Sequence, residues 1–130
     1  MNREILFRGK SGDGWHYGLL TKYENHKWRV VEEDNNMITV KNNTIGQYTG
    51  LTDKNGTKIF EGDVVRISED YYDGLHYSGN EVYYSDGAFC VEYETLEYDV
   101  TSIGFLVREG VEVEVIGNIY DNPELLQENS

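Results

Sequence analysis

The chain has 130 residues and a mass of 15.0 kDa, about one domain's length, with 38% hydrophobic and 27% charged residues and a formal net charge of −13. A chain of this size buries roughly two-thirds of its unfolded surface, so a core needs neither disulfides nor metal, and the single Cys90 excludes an internal disulfide framework and any Cys-based zinc site. No apolar run approaches the ~20 residues that cross a bilayer, and the opening MNREILFRGK lacks the apolar centre of a signal peptide, so the expectation is a cytoplasmic chain with no membrane partner.

The predicted elements are overwhelmingly strands. Eleven Tyr, four Phe and two Trp suit a pleated, half-buried surface, and fourteen Gly against one Pro supply turns without breaking it. In chain order, strands are expected at 3–8, 15–22, 27–32, 37–41 and 45–49, with a turn at Asp34-Asn35-Asn36. Asp53-Lys54-Asn55-Gly56 forms a turn in which Gly56 takes the left-handed position, and Glu61-Gly62-Asp63 makes a tight entry into a strand at 63–68. Further strands follow at 80–84 and 88–94, joined to one another across Asp86-Gly87, a pair that tolerates the two positive φ values of a type I′ hairpin. Residues 101–109 fit a strand or a helical turn equally well. At 111–120, Val111, Val113 and Val115 alternate with Glu112 and Glu114, which gives one buried and one wet face. A short helical turn is expected at 123–128, with Asn122 as N-cap, Pro123 in the first position, and Leu125 and Leu126 docking it. The whole is one domain, divisible into two β subdomains with a seam near 53–62.

No constellation in the chain matches a reaction. An EF-hand loop needs Gly at its sixth position, and the DKNG turn has it at the fourth. His16, His26 and His76 are not at metal-ligand spacing. Glu61 and Asp63 share a face as i and i+2 neighbours, yet nothing beside them drives two carboxyl pKa values apart as acid–base work requires. Cys90 has Phe, Val, Glu and Tyr as neighbours and no cation to make a thiolate. The glycines of residues 9–14 (GKSGDG) are not in P-loop order. No catalytic residue, metal or cofactor is expected, and the chain is not an enzyme.

Charge and aromatic patterning are more informative. Residues 1–60 hold nine Lys/Arg against seven Asp/Glu, whereas residues 61–130 hold two against seventeen, net +2 and −15. A surface of the second kind repels phosphate backbones and suits a basic protein. Within it, the segment 69–81 gathers Tyr71, Tyr72, His76 and Tyr77 among acids including Asp73, and it is expected to be a loop, either an ordinary long hairpin connection whose tyrosines cover the barrel rim or a loop available for partner binding. The runner-up reading is a nucleic-acid surface in the first half, with Trp15, Tyr17 and Trp28 stacking bases and Arg29 meeting phosphate.

Two segments are long enough to carry a resemblance. Residues 45–65 (IGQYTGLTDKNGTKIFEGDVV) and 114–126 (EVIGNIYDNPELL), together with residues 3–8 (REILFR) and Tyr17-Gly18, resemble the signature of the YopX family. That resemblance implies a mainly β fold with a small SH3-like barrel, encoded by phages and prophages of mostly Gram-positive bacteria, and it brings no activity with it. The pattern departs after Phe7-Arg8, where relatives carry Ala-Trp-Asp and this chain has Gly-Lys-Ser. Inside the signature, Gln47, Tyr48 and Thr49 are candidates for either core polar groups or a binding rim. The resulting expectation is a non-catalytic phage or prophage accessory protein with an acidic contact surface for a basic host or phage protein. Exposed strand edges would also let copies pair.

Overall fold

The computed structural model describes residues 4–23, 26–71, 74–93 and 100–129, with only the backbone for 69–71, 74–78 and 127–129. The chain divides into two compact units, residues 1–50 and 51–130.

The first unit is an antiparallel sheet of β1 (Phe7–Ser11), β2 (Gly14–Lys22), β3 (Trp28–Val31), β4 (Met37–Thr39) and β5 (Gly46–Thr52), lying in the order β4-β3-β2-β1-β5. Two glycines let its layers approach. A Cβ at Gly18 would run into the backbone carbonyl of Val31, and one at Gly9 would lie 2.6 Å from a methyl of the buried Val40. The chain returns from β4 to β5 through a short 3-10 turn, Asn42–Thr44. There the Thr44 hydroxyl accepts from the Lys10 N–H at 2.8 Å and donates to the Lys41 carbonyl at 2.6 Å, which satisfies backbone groups at the end of β1. Asn35 takes φ +70° in the turn between β3 and β4.

The second unit begins with the last two residues of β5, beside which lies β6 (Lys58–Phe60). It continues with β7 (Asp63–Tyr71), β8 (Gly74–Glu81), β9 (Tyr83–Ser85), β10 (Ala88–Val91), β11 (Thr101–Ser102), α1 (Ile103–Arg108) and β12 (Glu112–Asn118), and ends in a 3-10 helix at Pro123–Asn129. Two three-stranded sheets result, β12-β7-β8 and β11-β10-β9. Their shared core is Ile59, Val65, Ile67, Val82, Val91, Ile103, Leu106 and Val113. Each such aliphatic contributes about 1.5–3 kcal/mol by leaving water, which is what holds a six-residue helix that could not persist alone. Helix α1 starts at Ser102, whose hydroxyl accepts from the Phe105 N–H at 3.2 Å, and stops at Gly110 with φ +80°. Ile103 and Leu106, three apart, turn the same face into the core. The terminal 3-10 helix is docked by Leu125, since a Cβ at Gly117 would lie 2.8 Å from its Cδ1.

The expectations at 86–87, 111–120 and 123–128 hold. Asp86 and Gly87 have φ +51° and +85° between paired Ser85 and Ala88, and Val113 is buried while Glu112 is exposed. Residues 101–109 resolve into a two-residue strand followed by a helix. Other expectations are corrected. The first strand is Phe7–Ser11, not 3–8, because its partner β2 pairs through Ser11↔Gly14. Among the described residues the sheets are open and no SH3-like barrel closes. Closure requires every edge strand to find a partner, and β4 and β8 each end a strand order with one neighbour. Nor is segment 69–81 a loop: Glu69↔His76, Asp70↔Leu75 and Tyr71↔Gly74 extend the β7–β8 ladder through it. The tyrosines' preference for strands prevails there over the acidity that suggested a loop.

Candidate functional site

The second unit concentrates negative charge, holding eighteen Asp/Glu against four Lys/Arg, while the first holds six against seven. Glu81, at the end of β8, lies within the electrostatic reach of Glu92, just after β10, and of Glu61, between β6 and β7. Burial pushes the Glu81 carboxyl up, and the charges of Glu92 and then Glu61 push it further. The nearby Tyr83 phenol is also raised, by burial and then by Glu92. Burial raises the Cys90 thiol, and Asp86 adds to it, so this cysteine is a packed thiol and not a thiolate nucleophile.

Two other acids of this unit are structural. The buried Asp53 accepts the N–H groups of Asn55 (2.8 Å) and Thr57 (2.9 Å) on Oδ1 and of Val115 (2.9 Å) on Oδ2. Burial alone would raise its pKa, but these three donors outweigh burial and hold it below the ordinary carboxylate range. Asp53 thereby fastens the DKNG turn, where Gly56 has φ +84°, to β12. Asp63, 2% exposed, accepts the Phe60 N–H at 2.7 Å across Gly62. Beside the DKNG turn lies a hollow of about 220 Å³ lined by residues that include Val107, Val111, Val113 and Lys54. Its polar mouth is occupied by the Lys54–Glu112 ion pair at 3.6 Å.

In the first unit, strand register assigns side chains to two faces, because residues directly opposite on antiparallel strands point the same way. Arg8 and Lys10 of β1 stand opposite Tyr17 and Trp15. Leu19 pairs with Val31 and Val31 with Met37, and Thr21 pairs with Arg29. All of these share one face. The Arg8 guanidinium lies 4.7 Å and the Lys10 ammonium 5.9 Å from the Trp15 ring centroid, and Arg29 lies 4.0 Å from that of Tyr23. Such contacts hold cations against rings by about 0.5–2 kcal/mol. Trp28 pairs with Lys22 and looks to the opposite face, with the Lys22 ammonium 5.3 Å from its ring. The four residues expected to form one nucleic-acid surface are therefore three on one face, Trp15, Tyr17 and Arg29, and one behind.

The other face carries a cluster that spacing in the sequence did not announce. His16, opposite Gly9, places Nε2 2.7 Å from Asp13 Oδ1 and 3.1 Å from Ser11 Oγ, and Nδ1 3.0 Å from Glu32 Oε2. Ser11 also donates to the Asp13 carboxylate. The bonds to Asp13 and then Glu32 raise the His16 pKa, and His16 followed by Ser11 lowers that of Asp13. The connectivity resembles Ser–His–Glu, but both ring nitrogens are engaged by carboxylates, Nε2 by Asp13 and Nδ1 by Glu32, so neither is left to serve Ser11 alone as a general base must.

The remaining sequence-named residues are divided between the two units. Gln47 is on β5 opposite Phe7, and Tyr48 is buried, its N–H donating to the Leu6 carbonyl at 2.8 Å. Tyr71, His76 and Tyr77 lie on the far half of the β7–β8 hairpin, while Tyr72 and Asp73 fall outside the described residues. Among the described residues no three His, Cys, Asp or Glu side chains are grouped to hold a metal ion, and no helix is long and apolar enough to cross a membrane.

The model of the YopX protein family matches residues 11–127. The SPbeta prophage-derived uncharacterized protein YopX of Bacillus subtilis strain 168 is 38% identical over 74 residues, a stretch covering 55% of this chain and 52% of that protein, so the alignment spans about half the length of the curated relative. The crystal structure of protein yopX from Bacillus subtilis superposes with a TM-score of 0.65 at 28% identity, over 93% of this chain and 97% of that one. Protein EF1440 from Enterococcus faecalis gives 0.46 at 30% identity, over 96% and 75%.

Proposed function

The chain belongs to the YopX protein family, and from that membership we propose that it is a non-catalytic phage or prophage accessory protein that works in the host cytoplasm by binding a basic protein through its acidic second unit. The observation that carries this reading is the partition of charge between the two units, net +1 over residues 1–50 and −14 over residues 51–130. Within the acidic unit, burial raises the Glu81 carboxyl, and the charges of Glu92 and then Glu61 add to that rise. A Lys or Arg from a partner would relieve that repulsion, so each such contact gains from the field already present. The absence of chemistry in the other polar groups supports a binding role. Asp53 and Asp63 are committed to backbone N–H groups, Cys90 is a packed thiol, and His16 is held between carboxylates.

The test is capture of proteins from a bacterial lysate by the intact chain, beside a variant with Glu61→Gln, Glu81→Gln and Glu92→Gln. The reading expects a basic protein held by the parent, released as ionic strength passes roughly 0.15 M, where screening acts over ~8 Å, and not held by the variant. Retention indifferent to both salt and the substitutions would overturn it.

A further inference from the structure

We propose that the sheet face of the first unit carrying Trp15, Tyr17 and Arg29 binds single-stranded nucleic acid without sequence preference, a role independent of the acidic contact made by the second unit. Three observations meet on this face. Tyr17, Leu19 and Met37 are 45%, 59% and 45% exposed. Single exposed apolar side chains are ordinary, but Tyr17 and Leu19 of β2 and Met37 of β4 share one face, with Val31 of β3 between Leu19 and Met37, and form a patch. Next, no Asp or Glu occupies any strand position on β1 to β4, on this face or the opposite one, although acids make up 24 of the 130 residues. Lastly, the face sets cations beside rings, Lys10 at Trp15 and Arg29 at Tyr23.

Together these favour a polyanion with flat apolar parts. A ring flanked by a cation offers stacking to a base and charge to its phosphate, and it does so equally for every base, since all have a π-face. Trp15, Tyr17 and Leu19 are alternate residues of β2, about 6.7 Å apart, which leaves room for successive bases along the strand. Duplex DNA fits poorly. Five strands at ~4.8 Å spacing span ~19 Å, wider than the ~12 Å major groove. A protein ligand would be served by Leu19 and Met37 alone, without a face cleared of acids. The negative second unit weakens the association at long range, and salt screens that repulsion as well as the local attraction.

The experiment is fluorescence anisotropy of a labelled oligo(dT) of about 16 nucleotides, the upper site size for a small β-surface, titrated with the intact protein in a buffer of about 50 mM salt. Saturable binding is expected, with an affinity that Tyr17→Ala lowers roughly five- to a hundredfold and Tyr17→Phe preserves, and a duplex of equal length should bind more weakly. Tyr17 is exposed, so the variant's far-UV spectrum and melting curve should match the parent's, and the comparison is not one of folding. No saturable binding, an affinity unchanged in Tyr17→Ala, or a duplex bound as tightly as the single strand would each overturn the proposal. It would also fail if Tyr17→Ala converted an assembly of copies to monomer in sedimentation while leaving oligonucleotide affinity unchanged.

Discussion

The two units of this chain are built from different interiors. Of the nine large side chains that are fully buried, eight, including Ile59, Ile67, Ile103 and Leu106, belong to residues 51–130, and only Val30 belongs to the first fifty. The first unit instead buries Arg8 and Thr44 beside Val40 and Tyr48, and it leaves Tyr17, Leu19 and Met37 on its surface. The contrast teaches where to look for contacts: on the charge of the second unit and on the aromatic and cationic sheet face of the first.

The largest expected effect separates the two interiors. Asp53→Ala strips three part-buried N–H groups of a charged acceptor, which costs about 2–4 kcal/mol, all of it in the second unit. Both tryptophans, Trp15 and Trp28, lie in the first unit. In urea, Asp53→Ala should therefore lower the transition followed by far-UV circular dichroism and leave the tryptophan fluorescence midpoint near the parent's. Equal shifts in both signals would show that the interiors are not separable. The converse is Gly18→Ala, where the added methyl meets the Val31 carbonyl between β2 and β3. A loss of about 1–3 kcal/mol should appear in tryptophan fluorescence, and an unchanged fluorescence midpoint would mean that this strand contact is looser than described.

The smallest effect is a dependence on pH. The His16 pKa is raised in the folded chain, so its stabilising contribution is complete below its unfolded value of about 6.5 and is lost as pH rises through the folded value. Asp13 is shifted down, so its share is present above about 3.9 and lost as pH falls through its folded value. The clasp between the β1–β2 turn and Glu32 should therefore be tightest in the window between those limits. The parent's fluorescence midpoint should fall from pH 6 to pH 8 by more than that of His16→Gln. Equal falls would remove His16 as the cause.

Much of this architecture is legible in the residues. Asp86-Gly87 specifies its hairpin because both positions need positive φ, and the Val/Glu alternation before Val115 specifies a half-buried strand. That strand then kinks at the bulge between Val115 and Gly117, where alternation ends. What spacing does not convey is register. Trp15 and Trp28 share a face or not according to how residues 23–27 return the chain, and a one-residue slip would have put them together. The same holds for His16 and Glu32, sixteen residues apart and joined only once β2 and β3 pair. The acidic tyrosine-rich stretch 69–81 misleads for a different reason: acidity does not tell a strand from a loop, and the pairing of β7 with β8 makes it strand.

The most direct test of the central claim, that the two units present opposite electrostatic contacts, is a pair of amide chemical-shift titrations on one isotope-labelled sample, with oligo(dT) and with a lysine-rich peptide. The account predicts that the oligonucleotide shifts resonances of β1 to β4 and the peptide shifts resonances near Glu61, Glu81 and Glu92, with little overlap across Gly50. Oligonucleotide shifts centred beyond Leu51, or one set of residues responding to both ligands, would contradict it.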